Sequence, residues 1–160
     1  LSVAVGARLG LRGQEMAELA AVALLHDVGK IGIPDSLLHK TGPLDEADWV
    51  VMREHPVIGE RICAPLKSLR LVLPIIRHHH ERWDGSGYPD KLAGEAIPLT
   101  ARILQVVDLF DAFTTQRPYK PAFTLEQSIA LMREETLKGW WDARLVELFV
   151  QLIQEERLGR

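Results

Sequence analysis

The sequence predicts an all-α fold, and three observations predict it. Apolar residues recur with a period of about 3.6 through most of the chain. No segment alternates apolar and polar residues over enough positions to demand a strand. Gly and Pro fall between the periodic stretches, where helices stop and start. The 160 residues suffice for one domain with one substantial core. With 47% hydrophobic and 26% charged residues the composition is that of an ordinary globular domain.

Each element follows in chain order. A helix precedes Gly10, and a second runs from about Gln14 to Val28. That second stretch is apolar nearly all round towards its end, which predicts a buried central helix, with Gly29 as its stop. Ile33-Pro34-Asp35 turns into the short helix SLLHK, and Thr41-Gly42-Pro43 breaks it. Asp45 is the N-cap of a helix reaching about Glu54. Pro56 opens the next helix, PVIGERICAPL, and biases His55 away from helical geometry. Residues 69–81 read as a helix, and WDGSGYPDKLAGEAIP as a loop. The long apolar helix LTARILQVVDLFDAFTT follows, then the loop RPYKP. Thr124 and Gln127 resemble a capping box, and a final helix spans about Asp142 to Glu156.

Composition excludes several classes of function. The net charge of −3 argues against a general DNA-binding surface, while a few local cations can still hold a small anion. The single cysteine, Cys63, excludes an internal disulfide and a Cys-rich zinc site. No apolar run approaches the roughly 20 residues that span a bilayer, and no signal-peptide pattern is present, so the expected location is cytoplasmic. The chain begins inside a predicted helix without an initiator Met, and the expectation is a single domain, residues 1–160, of a longer protein.

Several residues are candidates for chemistry. His26 and Asp27 end the most apolar helix, where the helix dipole disfavours a carboxylate; they are a capping pair or they face a cation. His78-His79-His80-Glu81 follows an apolar stretch and is a solvated helix end or part of a site. Adjacent helical residues diverge by about 100°, so two of these rings share one site only where it is wide or the helix ends. Asp108 and Asp111 lie at i,i+3 on an apolar helix, either bonded to a neighbouring helix or facing a counter-charge. His55, alone, reads as a capping residue, and His39 and His78 as ordinary ones. Taken together, His26, His55, His79, His80, Asp27 and Asp108 offer nitrogen and oxygen donors without thiolate, a set that suits Fe, Mn or Zn. Six donors exceed the need of one open ion, so a two-metal site about 3.5–4 Å across, with Asp27 bridging, uses them best. Lys30 is then placed to neutralise a phosphate oxygen, with Arg117 and Lys120 as further anion-binding cations or a solvated basic loop.

The motifs HDVGKIGIPD, HPVIGERI, HHHERWDGSGYP and VVDLFDAFTTQRPYK, in that order, resemble the HD-GYP family of HD phosphohydrolases over roughly residues 20–125. The resemblance implies an HD-domain helical bundle with a GYP loop. It implies a metal-dependent phosphodiesterase that opens cyclic di-GMP to linear pGpG and onward to GMP, with two or three ions, frequently iron or manganese. By position, His26, Asp27, His55, His79, His80 and Asp108 match the family's metal ligands. Lys30 matches its phosphate-facing lysine, Asp111 the acid that orients that lysine, and Arg117 and Lys120 the ligand-binding pair. Asp84, Gly85, Gly87, Tyr88 and Pro89 form the signature loop, read here as a scaffold in which the glycines permit tight turns, Asp84 fixes the loop and Tyr88 packs. In the family that loop also docks diguanylate cyclases (GGDEF proteins), and a receiver domain commonly stands upstream.

Two departures stand out. The family's further ligand His lies on the helix leading into LSVAVGARLGL, upstream of Leu1, so the N-terminal helix reads as truncated. Trp141 and Ala143 replace the Phe and Pro of the usual Gly-x-x-Phe-Asp-Pro pattern, which predicts a packing adjustment. The leading expectation is a cyclic di-GMP phosphodiesterase; the alternative is a sensing or docking module with an incomplete metal site and no turnover.

Overall fold

The computed structural model describes residues 1–116 and 122–158. Among these the chain is helical, without strands, in the order α1 (Ser2–Arg8), α2 (Gln14–Leu25), α3 (Asp35–Leu38), α4 (Glu46–Met52), α5 (His55–Cys63), α6 (Leu73–His78), α7 (Leu99–Thr114), α8 (Leu125–Leu137) and α9 (Ala143–Leu158). Short 3-10 turns occupy Val28–Gly32, Lys67–Leu69 and Gly94–Ala96. No helix among the described residues is long and apolar enough to cross a membrane.

The helix at the centre is α7. It packs against α1, α2, α6, α8 and α9 and buries Ala101, Ile103, Leu104 and Val106. Ile76, Met132, Val146 and Phe149 complete the hydrocarbon around it, Phe149 edge-to-face with Phe110 at 5.1 Å. Two capping boxes close helix starts by satisfying backbone N–H groups that lack partners within the helix: Asp45 with Asp48 at α4, and Thr124 with Gln127 at α8.

The structure corrects four expectations. Helix α2 is not the buried centre: it buries Leu19 and Val22, while Leu24 is 86% exposed. Its apolar character comes largely from Ala17, Ala20, Ala21 and Ala23, small side chains that bring little area to bury. Gly29 does not stop α2, which ends earlier; it lies inside the Val28–Gly32 turn. His55 is not pushed out of helical geometry: it begins α5, with Pro56 in the first turn, where a missing N–H costs no helical bond. Residues 69–81 are not one helix. Pro74 lies in the first turn of α6, and the chain leaves the helix after His78.

Candidate metal centre

Five segments converge on one face of the bundle. The end of α2 brings His26, the turn after it Asp27 and Lys30, the start of α5 His55, the turn after α6 His79 and His80, and α7 Asp108. Gly29 makes the closest approach possible. A Cβ there would stand 1.8 Å from the His55 carbonyl oxygen and 2.5 Å from the Gly59 nitrogen, so bare backbone meets bare backbone between the turn and α5. The end of α6 solves the problem of adjacent imidazoles: with the helix finished, both His79 and His80 turn inwards.

Asp27 sits at the middle. Its Oδ1 lies 3.4 Å from His55 Nε2 and 3.9 Å from His79 Nε2. Its Oδ2 lies 3.6 Å from His26 Nε2, which is in turn 3.9 Å from Asp108 Oδ1. Lys30 Nζ donates to the same Oδ2 at 2.6 Å. One donor atom from each of Asp27, His55, His79 and His80 lies within 4.8 Å of all the others. The two carboxylate oxygens thus face different groups of donors.

The backbone decides which ring nitrogens are free. His55 Nδ1 is 2.8 Å from the Met52 carbonyl, His79 Nδ1 2.6 Å from that of Ile76, and His26 Nδ1 3.2 Å from that of Val22. A carbonyl only accepts, so each Nδ1 carries a proton, and the neutral rings of His55 and His79 turn an Nε2 lone pair inwards. His55 Nε2 and His79 Nε2 stand 3.3 Å apart beside a carboxylate oxygen, with no proton between them to share. Lone pairs and anionic oxygens gathered in this way call for a cation at their centre, and the donor set fits a divalent metal.

Electrostatics agree with that reading. Burial pushes His79 down to about 3, lowers His55, and holds His80 well below its ordinary value, reinforced there by the neighbouring rings. These imidazoles are therefore neutral at pH 7, as ligation requires. Burial pushes Asp27 up, but the hydrogen bond and charge of Lys30, with His26 and His79 behind them, hold its carboxyl below the usual range. Asp108 is raised by burial, with Asp27 and Asp111 adding to the effect against His26 and Lys30.

A cavity of about 1220 Å³ opens over this cluster and includes Asp27, Lys30, His55, His80, Asp108 and Asp111 in its walls. Asp111 shares that cavity with Lys30, whose hydrogen bond goes to Asp27. Arg117 and Lys120 lie outside the described residues. Trp141 lines the cavity and donates from Nε1 to Glu135 at 2.9 Å, a bond that the family's Phe cannot make. Asp142 beside it accepts from Arg102 at 2.8 Å.

The signature loop is held by short contacts within itself. Asp84 Oδ1 accepts from the Ser86 N–H at 2.8 Å, and Gly85 takes a φ of +81°. A Cβ on Gly87 would meet the Arg82 nitrogen at 2.3 Å, so the loop folds flat on its own start. The Tyr88–Pro89 bond is cis, and the Tyr88 ring stacks on His80 with centroids 5.0 Å apart.

Sequence reasoning names Glu81 only as part of a run and passes over the other groups that hold this loop. Glu81, fully buried, accepts from the N–H groups of Asp90 at 2.7 Å and Leu92 at 3.1 Å. Buried Gln105 donates to the carbonyls of Glu81 at 2.9 Å and His78 at 3.2 Å, bracketing the two inward histidines. Arg77 forks onto Asp90 at 2.6 and 2.8 Å and reaches Glu60 at 2.7 Å. His78, read as ordinary, pairs with Asp90 at 2.9 Å. The available signal was a carboxylate and an amide placed in otherwise apolar or ligand-bearing runs, each too polar to bury without partners.

Comparison with known proteins gives four matches. A family model described as "HD domain" matches residues 1–145. The chain is 47% identical over 130 residues to the "Cyclic di-GMP phosphodiesterase response regulator RpfG" of Xanthomonas campestris pv. campestris, covering 80% of this chain and 34% of that protein. It is 42% identical over 147 residues to the "3'3'-cGAMP-specific phosphodiesterase 2" of Vibrio cholerae serotype O1, covering 89% of this chain and 27% of that protein. The chain therefore spans about a third or less of the length of these relatives. Among solved structures it superposes with a TM-score of 0.77 and 20% identity on Bd1817, an HDG"Y"P protein from Bdellovibrio bacteriovorus, over 96% of this chain and 49% of that one. That likeness bears on the fold.

Proposed function

The chain belongs to the HD-domain family, in its HD-GYP branch, and from that premise we propose that it is a metal-dependent phosphodiesterase that hydrolyses cyclic di-GMP. The observation that carries the proposal is the division of Asp27, with Oδ1 towards His55 and His79 and Oδ2 towards His26. In this reading Asp27, His55, His79 and His80 would hold one ion, and Asp27, His26 and Asp108 a second, iron or manganese as the family resemblance implies. Ions held there supply Lewis acidity, which activates water at neutral pH and offsets charge on the phosphoryl oxygens.

The chain's own groups do the rest. Lys30, at the cavity wall beside Asp27, places a positive charge against a non-bridging phosphate oxygen, and Asp111 orients that lysine once substrate draws it from Asp27. Arg117 and Lys120 hold the remaining phosphate. Water adds to one phosphorus, the P–O3′ bond breaks, and the linear dinucleotide pGpG leaves with a 5′-phosphate and a free 3′-hydroxyl; a second round gives GMP. The domain acts in the cytoplasm as the output module of a longer regulatory protein, its loop 84–89 available to a diguanylate cyclase partner and its input a module such as a receiver.

The test is elemental analysis of protein purified without oxygen, together with chromatography of the products. The expected result is at least two transition-metal ions and conversion of cyclic di-GMP to pGpG, both lost in Asp27→Ala. Metal-loaded protein that binds cyclic di-GMP without turnover would refute the enzymatic reading. Full metal content in Asp27→Ala would refute the bridge.

A further inference from the structure

The cavity has a second wall with no part in the metal cluster. Trp49 in α4 and Arg53 just after it, one helical turn apart, line this wall together with Tyr88 of the signature loop. The Arg53 guanidinium carbon lies 5.7 Å from the centroid of the Trp49 ring and 5.9 Å from that of Tyr88. Glu46 holds one of its nitrogens from outside at 3.8 Å. Trp49 keeps 39% of its surface exposed, a large apolar ring left open beside a cavity. Tyr88 in turn stacks on His80, so Arg53 stands one ring away from the donor cluster.

Resting on the reading of the substrate as a cyclic dinucleotide, we infer that Trp49 and Arg53 form its base-reading subsite and that Arg53 selects guanine. The indole offers a flat surface to any base, because every base has a π-face. The guanidinium discriminates. Its parallel N–H donors match the O6 and N7 acceptors on one edge of guanine, whereas adenine presents an amino donor at that edge, which a guanidinium cannot accept. With the phosphate at the metal cluster and Lys30, the base falls on the far side of its ribose, where Tyr88 separates His80 from Arg53. The subsite asks for one guanine, so a mixed guanine–adenine ring is accepted as well as the diguanine one.

The experiment compares kcat/KM for cyclic di-GMP, cyclic GMP-AMP and cyclic di-AMP in the metal-loaded wild-type chain, Arg53→Gln and Trp49→Leu. Bis(p-nitrophenyl) phosphate, which has no base, serves as a fourth substrate. The wild-type chain is expected to favour guanine-containing rings over cyclic di-AMP by about ten- to a hundredfold, the usual discrimination of a bidentate pair. Gln is the side chain that pairs with adenine, so Arg53→Gln should cut that preference at least tenfold and raise the relative rate on cyclic di-AMP, which mere loss of structure cannot do. Trp49→Leu should raise KM for all three rings alike. An unchanged guanine preference in Arg53→Gln, or an equal fall on all three rings, would overturn the assignment and make Arg53 a phosphate contact. Unchanged KM values in Trp49→Leu would remove the stacking wall. A wild-type chain that hydrolyses bis(p-nitrophenyl) phosphate but none of the rings would instead bring down the substrate reading itself, and this inference with it.

Discussion

Two faces of α7 look onto regions held together by opposite means. Towards α8 and α9 the chain is joined by hydrocarbon: Met132, Val146 and Phe149 are almost fully buried, and their contacts are interchangeable in kind. Towards α5 and the signature loop it is joined by backbone polar groups, two of them brought together by the lack of a Cβ on Gly29 and others tied by Glu81 and Gln105. The first region positions nothing to a fraction of an ångström. The second must hold five segments so that their donors meet. The lesson is that the core half should fail when atoms are removed, and the site half when atoms are added or a donor is lost.

The largest effects should come from one substitution in each region. Phe149→Ala removes a buried ring from the core and should cost about 3–5 kcal/mol in urea unfolding. Gly29→Ala adds one methyl where no relaxation short of parting the turn from α5 makes room, and should cost about 3 kcal/mol or more. Metal titration separates the two. Folded Phe149→Ala should take up metal as the wild-type chain does, whereas Gly29→Ala should lose it, because Asp27 and His55 move apart. Equal metal loss in both variants would break the distinction between the regions.

A smaller effect tests the donors that hold the site. Gln105→Leu keeps the volume but leaves the carbonyls of His78 and Glu81 without their donor, at a cost of about 1–2 kcal/mol. Because those carbonyls bracket His79 and His80, metal affinity should fall by about ten- to a hundredfold, the range seen for groups that orient ligands. Calorimetric titration with Mn²⁺ reads it. Loss of stability with unaltered affinity would reduce Gln105 to a core residue.

What the sequence made legible follows the same division. The helices and their order could be read because apolar period and capping chemistry are local: Thr124 and Gln127 are three residues apart, and so are Asp45 and Asp48. Asp27, the histidines and Asp108 could be read because an ionisable group in an apolar run demands a partner, and the motif order named the partners. Gln105, and the task of Glu81, escaped because their partners are backbone groups, which look the same at every position of a sequence. Gly29 was misread as a stop for a related reason, since its use depends on α5 arriving 26 residues later at His55. A fault within local reach is α2, where the sequence counts alanines as core.

That fault yields the smallest predicted effect and the cleanest check on the comparison. Read from the sequence, Leu24 belongs to a helix apolar on all sides, and burying a leucine side chain is worth about 1.5–3 kcal/mol. In the structure Leu24 is 86% exposed, on the side of α2 away from Leu19 and Val22. Leu24→Gln keeps helix propensity nearly constant, so backbone preference does not confuse the measurement. It should change unfolding free energy by less than about 0.5 kcal/mol, the range of surface substitutions that touch nothing special. Leu19→Ala, five residues earlier on the same helix and fully buried, should cost about 2–5 kcal/mol by the same assay. If the two were equally costly, α2 would be surrounded as the sequence suggested. If they differ as stated, α2 is a half-covered flank of the core whose task is to deliver His26 and Asp27, and its tolerance should end where its polar residues begin.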